Sequence, residues 1–551
     1  MYKTQLPDVL GSPVSEGKRE VKEKEYRIEA DIEKIPSGWK ITGAVQGKPG
    51  LLKLARFTSS QTVICSNWQS WGPAAVMDAD AEWEGLESVR QEKSPWLFSP
   101  VPDLQEKHLI SDYVLAWDKG LAGFLTSRIA HPLFIREGEA WTAALEYFDA
   151  EKEKPVPLEP LIILEGKKAE ELLSGYADQV KEENKINIGN WNPVGWCSWY
   201  HYFRKIEWED VRENLKEAED FPFQVFQIDD GYQTEIGDWL VLRPGFPGLS
   251  EMAGLIRNSG FIPGIWTAPF ISSENSRLFN SHPEWMVSEK GKPLFCCNGW
   301  GQKIYALDIT QEPVQDWLFD VFSSLRHYGF EYFKLDFLFA GAMPGTRSRN
   351  ITPAEAYRKG LRIIREAVED NFILGCGAPL LPSAGIVDGM RVGEDTAPFW
   401  RPERSPFHGP NAYHALKNAL MRHYMHRKFW LNDPDCLLLR HREIELTENE
   451  RELYARTSGA LDNIIMDSDR LSLIGPRGRR VFREAIQLRG GRVRVSGLMD
   501  GLFVIESKGR EQGDFTLAVN IEDQDKSYSS LPVPARTAVF IQPRPEPSIT
   551  H

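Results

Sequence analysis

The pattern best suited to chemistry is a lysine and an aspartate two residues apart in an apolar segment. The hexapeptide at 332–337 reads YFKLDF. Alternation along a β-strand places Lys334 and Asp336 on one face and the apolar residues on the other, so we expect an ion pair. A nearby ammonium lowers a carboxyl pKa, which would keep Asp336 ionised and nucleophilic. A purely structural ion pair is the alternative.

A second carboxyl group would be needed to protonate a leaving group. The segment GEDTAP at 393–398 offers Glu394 and Asp395 in an irregular loop. Spacing does not choose between the two. A turn or helix-capping role is the alternative for Asp395.

Paired acids also stand at the end of the strand-like segment 223–229, where Asp229 and Asp230 precede Gly231. Neighbouring like charges are costly unless ligand hydroxyl groups, a cation or water satisfy them. We rank sugar hydroxyl groups first, a simple Asp-Gly turn second and a divalent metal third, because no further oxygen ligands follow at EF-hand spacing.

Histidine and cysteine give weaker patterns. His423 and His426 share one helical face but lack an HExxH motif, so packing is favoured over zinc binding. Cys376, between two glycines, is expected to be a small core residue more often than a nucleophile. The six cysteines form no CxxC spacing, which predicts reduced thiols and no metal or other cofactor.

These polar residues follow short apolar segments that alternate with amphipathic helices over 194–485, which predicts a (β/α)8 barrel. The predicted helices include 312–328, 353–369 and 411–425. The predicted strands are 194–199, 223–229, 261–267, 331–337, 372–376, 387–392, 429–432 and 462–466. Because the C-terminal ends of barrel strands meet at one face, the side chains that end these strands are expected to converge there.

The flanking segments read as β-structure. Residues 1–185 contain short strand-like segments such as 39–42 and 161–164, which predict a β-sandwich, and a polar boundary follows near 181–192. The segment 270–310 is too long for a βα loop and is expected to lie over the barrel mouth. The predicted domains are 1–185 (β-sandwich), 190–485 (barrel) and 486–551 (antiparallel β-domain).

Composition narrows the partner class. The 551 residues include 65 Lys and Arg against 79 Asp and Glu, a net charge of −14. This charge repels phosphate backbones and anionic lipids, so nucleic-acid or membrane-surface binding is not expected. The 18 tryptophans suit a site that stacks on flat apolar faces such as sugar rings. The opening residues lack a leader pattern and no segment offers a membrane span, so we expect a cytoplasmic protein.

Written out together, the polar strand ends resemble those of the α-galactosidases of glycoside hydrolase family 36, of the compact bacterial type. The resemblance runs over nearly the whole chain. It is carried by NWQSWG at 67–72, GWCSWY at 195–200, QIDDGY at 227–232, GIWTAP at 264–269, KLDF at 334–337, the segment 391–395 and WLNDPD at 430–435.

The resemblance implies an N-terminal β-supersandwich, a catalytic (β/α)8 barrel and a small C-terminal antiparallel β-domain. It also implies a retaining, exo-acting enzyme that releases terminal α-linked galactose from sugars such as melibiose and raffinose, as a monomer or small homo-oligomer. Asp336 matches the nucleophile and Asp395 the general acid/base. The substrate-binding matches are Asp229, Asp230, Lys334, Trp71, Trp199, Tyr200, Trp266, Cys376 and Arg391.

Four other functions stay open at this point. An α-N-acetylgalactosaminidase or a galactosyl transferase would share the scaffold. A sugar-binding module that has lost catalysis is disfavoured because both Asp336 and Asp395 are present. A metal-dependent barrel hydrolase would be distinguished by its activity after EDTA treatment.

Overall fold

An eight-stranded parallel barrel lies at the centre of the chain. The computed structural model describes residues 7–81, 99–401 and 409–542. The predicted barrel is confirmed, and each predicted strand overlaps an observed one. The barrel strands are Val194–Cys197, Val225–Ile228, Ile262–Thr267, Tyr332–Leu335, Phe372–Gly375, Gly389–Arg391, Leu431–Asp433 and Ile465–Asp467.

The barrel strands pair in chain order, and the eighth pairs with the first. The seventh and eighth strands do not form a regular ladder, so the barrel is nearly closed. A backbone hydrogen bond from Ile464 N to Asn432 O (2.9 Å) crosses this seam. All eight strands are buried along their length except for the first residue of the third, as expected for parallel strands covered by helices.

The helices follow the predicted pattern. The helix predicted at 312–328 is observed with those bounds and the one at 353–369 ends one residue earlier. The third ends at Met421, where Arg422 leaves helical geometry and a short 3₁₀ turn, His423–Met425, follows. The helices are Pro102–Gln105, Ala169–Glu183, Trp199–Tyr202, Trp208–Glu217, Leu249–Asn258, Arg277–Ser281, Glu312–Tyr328, Pro353–Val368, Leu380–Ser383, Ala412–Met421, Glu448–Ala460 and Pro476–Gln487.

Two antiparallel sheets form the N-terminal β-structure. One contains Ser12–Pro13, Asp8–Val9, Leu51–Phe57, Ala140–Glu146, His131–Glu137 and Ile110–Asp112 in spatial order. The other contains Gly17–Lys22, Tyr26–Ile35, Gly38–Gly47, Leu161–Glu165, Gly120–Phe124, Val114–Trp117, Thr62–Ser66 and Ala74–Asp78, with Lys152–Pro157 beside Gly38–Gly47.

The described part of this region contains two helices that the sequence did not predict, the single turn Pro102–Gln105 and the longer Ala169–Glu183. Ala169–Glu183 lies within a part of the chain interpreted as β-rich, and it buries Leu172, Tyr176 and Val180. Its apolar residues recur at helical spacing, but they sit among charged residues that weaken the pattern. The helix packs against the strands Val114–Trp117 and Gly120–Phe124 and leads into the barrel.

The predicted insertion at 270–310 forms a small sheet beside the barrel mouth, with strands Ile271–Ser273, Phe295–Gly299 and Gln302–Ala306. A two-stranded hairpin, Ser288–Glu289 with Lys292–Pro293, belongs to the same segment. The C-terminal β-structure is also present, as a sheet of Arg492–Ser496, Phe503–Lys508, Phe515–Asn520 and Thr537–Gln542 beside the pair Lys526–Tyr528 and Leu531–Val533.

The described residues contain no helix long and apolar enough to cross a membrane. Residues 1–6, part of the opening segment in which a leader pattern was sought, lie outside the described residues, as do 543–551 of the predicted C-terminal domain.

Candidate active site

A cavity of about 330 Å³ opens at the C-terminal ends of the barrel strands. Eight of the eleven predicted site residues line it. They come from the loop at 67–74 of the N-terminal region and from the ends of five barrel strands. They are Trp71, Trp199, Asp229, Asp230, Trp266, Lys334, Asp336 and Asp395.

Asp336 lies at the floor of this cavity, with 8% of its surface exposed. Its Oδ2 accepts a hydrogen bond from Trp266 Nε1 (2.9 Å), and its Oδ1 accepts one from Phe337 N (2.9 Å). Burial raises the pKa of Asp336 above its ordinary value, Lys334 lowers it and Asp395 raises it. These two donors, together with the Cys376 thiol, hold the carboxylate in one orientation.

The predicted ion pair between Lys334 and Asp336 is wrong. Lys334 Nζ instead donates to Asp229 Oδ2 at 2.8 Å, and both side chains are buried. Burial disfavours the ammonium form, but nearby anionic groups, Asp229 foremost, outweigh it and raise the pKa of Lys334 well above its ordinary value. The prediction that the pKa of Asp336 is lowered is also wrong, because burial raises this pKa by more than Lys334 lowers it.

The paired acids at the second strand are already held by hydrogen-bond donors. Asp229 Oδ2 also accepts from Gln227 Nε2 (2.6 Å), and Asp230 accepts from Trp300 Nε1 (2.7 Å) and Gln233 Nε2 (2.6 Å). Burial raises the pKa of Asp230. These donors leave few free lone pairs on the two carboxylates. This fits hydroxyl groups better than a cation, because one hydroxyl group needs a single lone pair whereas a divalent cation takes about six oxygen ligands.

Asp395 is the most accessible of the candidate catalytic groups, with 34% of its side chain exposed. Arg391 donates to Asp395 Oδ1 (3.1 Å) and pairs with Asp435 Oδ2 (2.8 Å). Tyr200 donates to Asp435 as well. Tyr200 and Arg391 therefore lie behind Asp395 and position it, and the contact with substrate that the resemblance implies for them stays a prediction.

Cys376 likewise contacts the site from behind. Its Sγ accepts a hydrogen bond from Trp71 Nε1 (3.3 Å), and its thiol donates one to Asp336. Burial raises the pKa of Cys376 well above its ordinary value, which keeps the thiol protonated and supports a packing role. All six cysteines, each within the described ranges, are buried and free.

Trp71 reaches the cavity from the N-terminal region because its loop is fixed to the barrel. Ser70 N donates to Ala378 O (2.9 Å), and Arg422 donates to the carbonyls of Ser70 and Gly72 (both 2.7 Å). Gly377 makes room for the indole: its φ is +53°, and a Cβ there would lie 3.1 Å from the Trp71 ring.

Sequence reasoning missed the residues supplied by loops. The strand Phe295–Gly299 and the turn after it bring Asn298 and Trp300 to the cavity, and Arg204 reaches it from the segment after the first barrel strand. The length of the segment 270–310 was the available signal, since it placed an insertion at the mouth without showing which side chain points inward. Asp435 could have been found as the third acidic or amide group in the motif WLNDPD.

Glu394, the other acid in the predicted catalytic loop, points away from the cavity lining. It is buried, and its Oε2 has no hydrogen-bond partner among the described residues. Burial raises its pKa to about 8, with a smaller contribution from Asp395. Glu394 is therefore largely protonated at neutral pH and adds little charge beside Asp395.

His423 and His426 also have structural roles. His426 Nε2 lies 3.3 Å from Asp462 Oδ2 and its Nδ1 accepts from Asn432 N, so both ring nitrogens are used within the fold. Burial lowers the pKa of His423 to about 3. Packing is the interpretation that these contacts support.

Two protein-family models match the chain. The model described as "Alpha-galactosidase, N-terminal" matches residues 31–165, and the model described as "Melibiase" matches residues 172–363. The chain belongs to the α-galactosidases of glycoside hydrolase family 36. The second match contains Asp229, Asp230, Lys334 and Asp336, whereas Asp395 lies beyond its end.

A solved α-galactosidase has the same architecture over nearly its whole length. The α-galactosidase of Thermus thermophilus, solved with p-nitrophenyl α-D-galactopyranoside, is 27% identical, with a TM-score of 0.72 over 89% of this chain and 98% of that one. The family 36 α-galactosidase AgaA of Geobacillus stearothermophilus shares the fold at 11% identity, with a TM-score of 0.60 over 98% of this chain and 87% of that one.

Matches to curated sequences are shorter. The Geobacillus stearothermophilus "Alpha-galactosidase AgaA" is 27% identical over 205 residues, which is 34% of this chain and 26% of that protein. The Escherichia coli "Alpha-galactosidase" is 23% identical over 221 residues, 38% of this chain and 30% of that protein. The aligned segments thus span under a third of these relatives.

Proposed function

We propose that this protein is a retaining, exo-acting α-galactosidase that releases terminal α-linked galactose from galacto-oligosaccharides such as melibiose and raffinose. The observation that carries the proposal is the placement of Asp336 and Asp395 on one small cavity, with Asp229, Asp230 and Lys334 beside them. Solved relatives hold stachyose and raffinose, which supports the substrate class.

In the proposed mechanism, Asp336 attacks the anomeric carbon while Asp395 donates its proton to the departing glycosidic oxygen. The bond from the anomeric carbon to the leaving group breaks as the bond to Asp336 forms, through an oxocarbenium-like transition state. Asp395, now ionised, then takes a proton from water, which attacks the galactosyl-enzyme and releases galactose with its original α-configuration.

The surrounding residues support each step. Trp266 and Phe337 N hold Asp336 in one orientation, so the nucleophile loses little entropy when it attacks. Arg391 holds Asp395, and the Asp435 carboxylate beside Arg391 fixes that guanidinium in turn. The greater exposure of Asp395 suits a group that protonates an oxygen shared with the outer sugar and then meets water.

Galactose recognition is proposed for Asp229, Asp230 and Lys334. Their buried polar atoms would bond to sugar hydroxyl groups, and a sugar lacking one of those hydroxyl groups in place would leave an atom unpaired. Trp199 and Trp71 border the same cavity and present flat surfaces for the apolar face of the ring.

Hydrolysis of three 4-nitrophenyl glycosides tests this proposal: the α-galactoside, the α-N-acetylgalactosaminide and the α-glucoside. We expect turnover of the α-galactoside well above that of the other two, unchanged by EDTA. The Asp336→Asn variant, which keeps the size of the side chain, should be inactive. Preferred turnover of the N-acetylgalactosaminide would replace the substrate assignment, and loss of activity in EDTA would contradict the two-carboxylate mechanism.

A further inference from the structure

A second and larger cavity, of about 810 Å³, lies at the opposite end of the barrel. Its lining includes the first residues of barrel strands, Ile262, Phe372 and Leu431, whereas the candidate active site lies at the strand ends. The segment 184–191, which joins the N-terminal region to the barrel, forms another side. Its volume lies within the range of small-molecule sites, about 300–1,000 Å³.

The lining is cationic in a protein with a net charge of −14. Five positive side chains face three negative ones: Arg128, Lys185, Arg358, Arg362 and Arg365 against Glu331, Asp370 and Asp388. Two of the three carboxylates are already paired, because Glu331 binds Arg257 at 2.6 Å and Asp388 binds Arg365.

Arg358 is the buried member of this group, with 6% of its surface exposed. Its Nη1 donates to Pro382 O (2.5 Å), but its Nε is buried without a hydrogen-bond partner in the described part of the chain. Burial and then the charge of Arg362 lower its pKa to about 10, and Arg128 acts in the same direction. Glu159 opposes these effects, but that carboxylate already accepts hydrogen bonds from Thr126 and three backbone N–H groups.

A buried guanidinium among like charges is costly unless an anion accompanies it. Arginine suits phosphate oxygens because its planar donors can bind two of them at once. Arg358, Arg362 and Arg365 recur at helical spacing on Pro353–Val368, so the first two present their charge from one helix face. Arg365 is already bound to the carbonyls of Ile386, Glu369 and Asn371 and serves the fold.

An aromatic surface borders the same cavity. Trp191 keeps 36% of its surface exposed, and its position is fixed by an edge contact with Phe372 (5.2 Å) and a bond from Nε1 to Gln224 Oε1 (3.1 Å). An exposed, fixed indole next to a cationic cluster suits a ligand that joins a flat ring to a phosphate group.

We propose that this cavity binds a phosphorylated ring compound, either a sugar phosphate or a nucleotide, with its phosphate on Arg358 and Arg362 and its ring on Trp191. Inorganic phosphate alone would leave most of the volume and the indole unused. The site draws on the N-terminal region through Arg128, on the joining segment and on the barrel, and it uses none of the candidate catalytic residues.

Isothermal titration calorimetry on the full chain tests the proposal with glucose 6-phosphate, AMP and inorganic phosphate as probes. We expect at least one of the two esters to bind with a dissociation constant of about 1 mM or tighter, and more tightly than inorganic phosphate. The tighter ester identifies the ligand class. The exposed Arg362 allows a variant with little risk to folding, and Arg362→Gln should weaken ester binding about tenfold.

Matched variants separate local binding from general charge effects. Arg212→Gln removes one exposed positive charge from the helix Trp208–Glu217, away from this cavity, and should leave ester binding unchanged. Trp191→Ala should reduce ester binding to the level of inorganic phosphate. The proposal is overturned if neither ester binds, if inorganic phosphate binds as tightly, or if Arg362→Gln and Arg212→Gln behave alike.

Discussion

The charge of Asp395 acts on Asp336 across the candidate active site, although no hydrogen bond joins the two side chains. The charge of Asp395 raises the pKa of Asp336, and Lys334 acts in the opposite direction. Lys334 forms an ion pair with Asp229, so its positive charge acts both on Asp229 and on the candidate nucleophile Asp336. The chemistry of the pair therefore depends on which of the two carboxyl groups holds a proton.

Removal of the nucleophile gives the first prediction. Asp336→Gly should abolish hydrolysis, because no carboxylate remains to attack the anomeric carbon. Azide should partly restore turnover of an activated aryl α-galactoside by entering the space vacated by the side chain. NMR of the product should show β-galactosyl azide. An α-azide, or a variant with normal hydrolysis, would contradict the assignment of Asp336 as the nucleophile.

Neutralising the acid/base should cost most where the leaving group needs a proton. In the proposed mechanism Asp395 is protonated when Asp336 attacks, and Asp395→Asn keeps the size of the side chain but has no acidic proton to give. Natural substrates such as melibiose should therefore lose about 10²–10⁴-fold in rate. A 2,4-dinitrophenyl α-galactoside, whose departure does not need protonation, should lose far less. Equal losses of kcat/KM on the two substrates would contradict the role of Asp395 as the acid.

Glu394 should affect the pH dependence of the protein's stability rather than catalysis. Its pKa is about 8 in the folded protein against an ordinary 4.5, so between these values the folded chain holds a proton that the unfolded chain has released. Stability from this group is therefore lost as pH rises from about 4.5 to 8. Glu394→Gln removes the titration, and its melting temperature relative to the parent should rise from pH 5 to pH 8. A constant difference would show that Glu394 is ionised in the fold.

At the scale of elements, loops and strand ends decide which side chains meet. The eight strands could be predicted because each is a short apolar segment followed by a polar residue. The pairing of Lys334 with Asp229 could not, because it joins the fourth strand to the residue after the second, across an intervening strand. Side chains from alternate strands share a layer inside such a barrel, so strand register controls this contact.

Gly377 gives a prediction at this scale. Gly377→Ala would place a Cβ 3.1 Å from the Trp71 indole, so the ring must shift by a few tenths of an ångström from its place on the cavity, and KM for an α-galactoside should rise. Gly260→Ala is the matched control, since Gly260 also has positive φ (+90°) but has no atom near its added Cβ. Both variants carry a backbone cost of about 1–2 kcal/mol. Equal KM values for the two variants would remove Trp71 from the binding site.

For the whole molecule, the N-terminal β-structure and the barrel act as one unit because the loop carrying Trp71 is bonded to the barrel. The composition and the motifs predicted both parts, but the polar segment at 181–192 showed only that a boundary was plausible. The contact itself depends on Arg422, which the sequence presented as part of a histidine-bearing helix. No local sequence pattern predicts that a buried arginine will bind backbone carbonyls of a distant segment. The domain limits and the cytoplasmic location stay predictions.

Arg422→Met tests this unit. The change leaves the carbonyls of Ser70, Gly72 and Val392 without their donors and should lower the free energy of unfolding by at least about 2 kcal/mol. KM should rise as well, because the loop that holds Trp71 is loosened. Trp71→Ala is the comparison: it should raise KM while its melting temperature stays close to the parent value. Normal KM in Arg422→Met, despite lower stability, would show that the loop is positioned without it.

The most direct test of the central claim is the configuration of the first sugar released. The purified protein is mixed with 4-nitrophenyl α-galactopyranoside, and NMR follows the anomeric proton before mutarotation equilibrates the product. A retaining two-carboxylate mechanism predicts α-galactose as the initial product, with the β-anomer appearing later. Initial β-galactose would mean a single inverting displacement and would contradict the role of Asp336 as a covalent nucleophile.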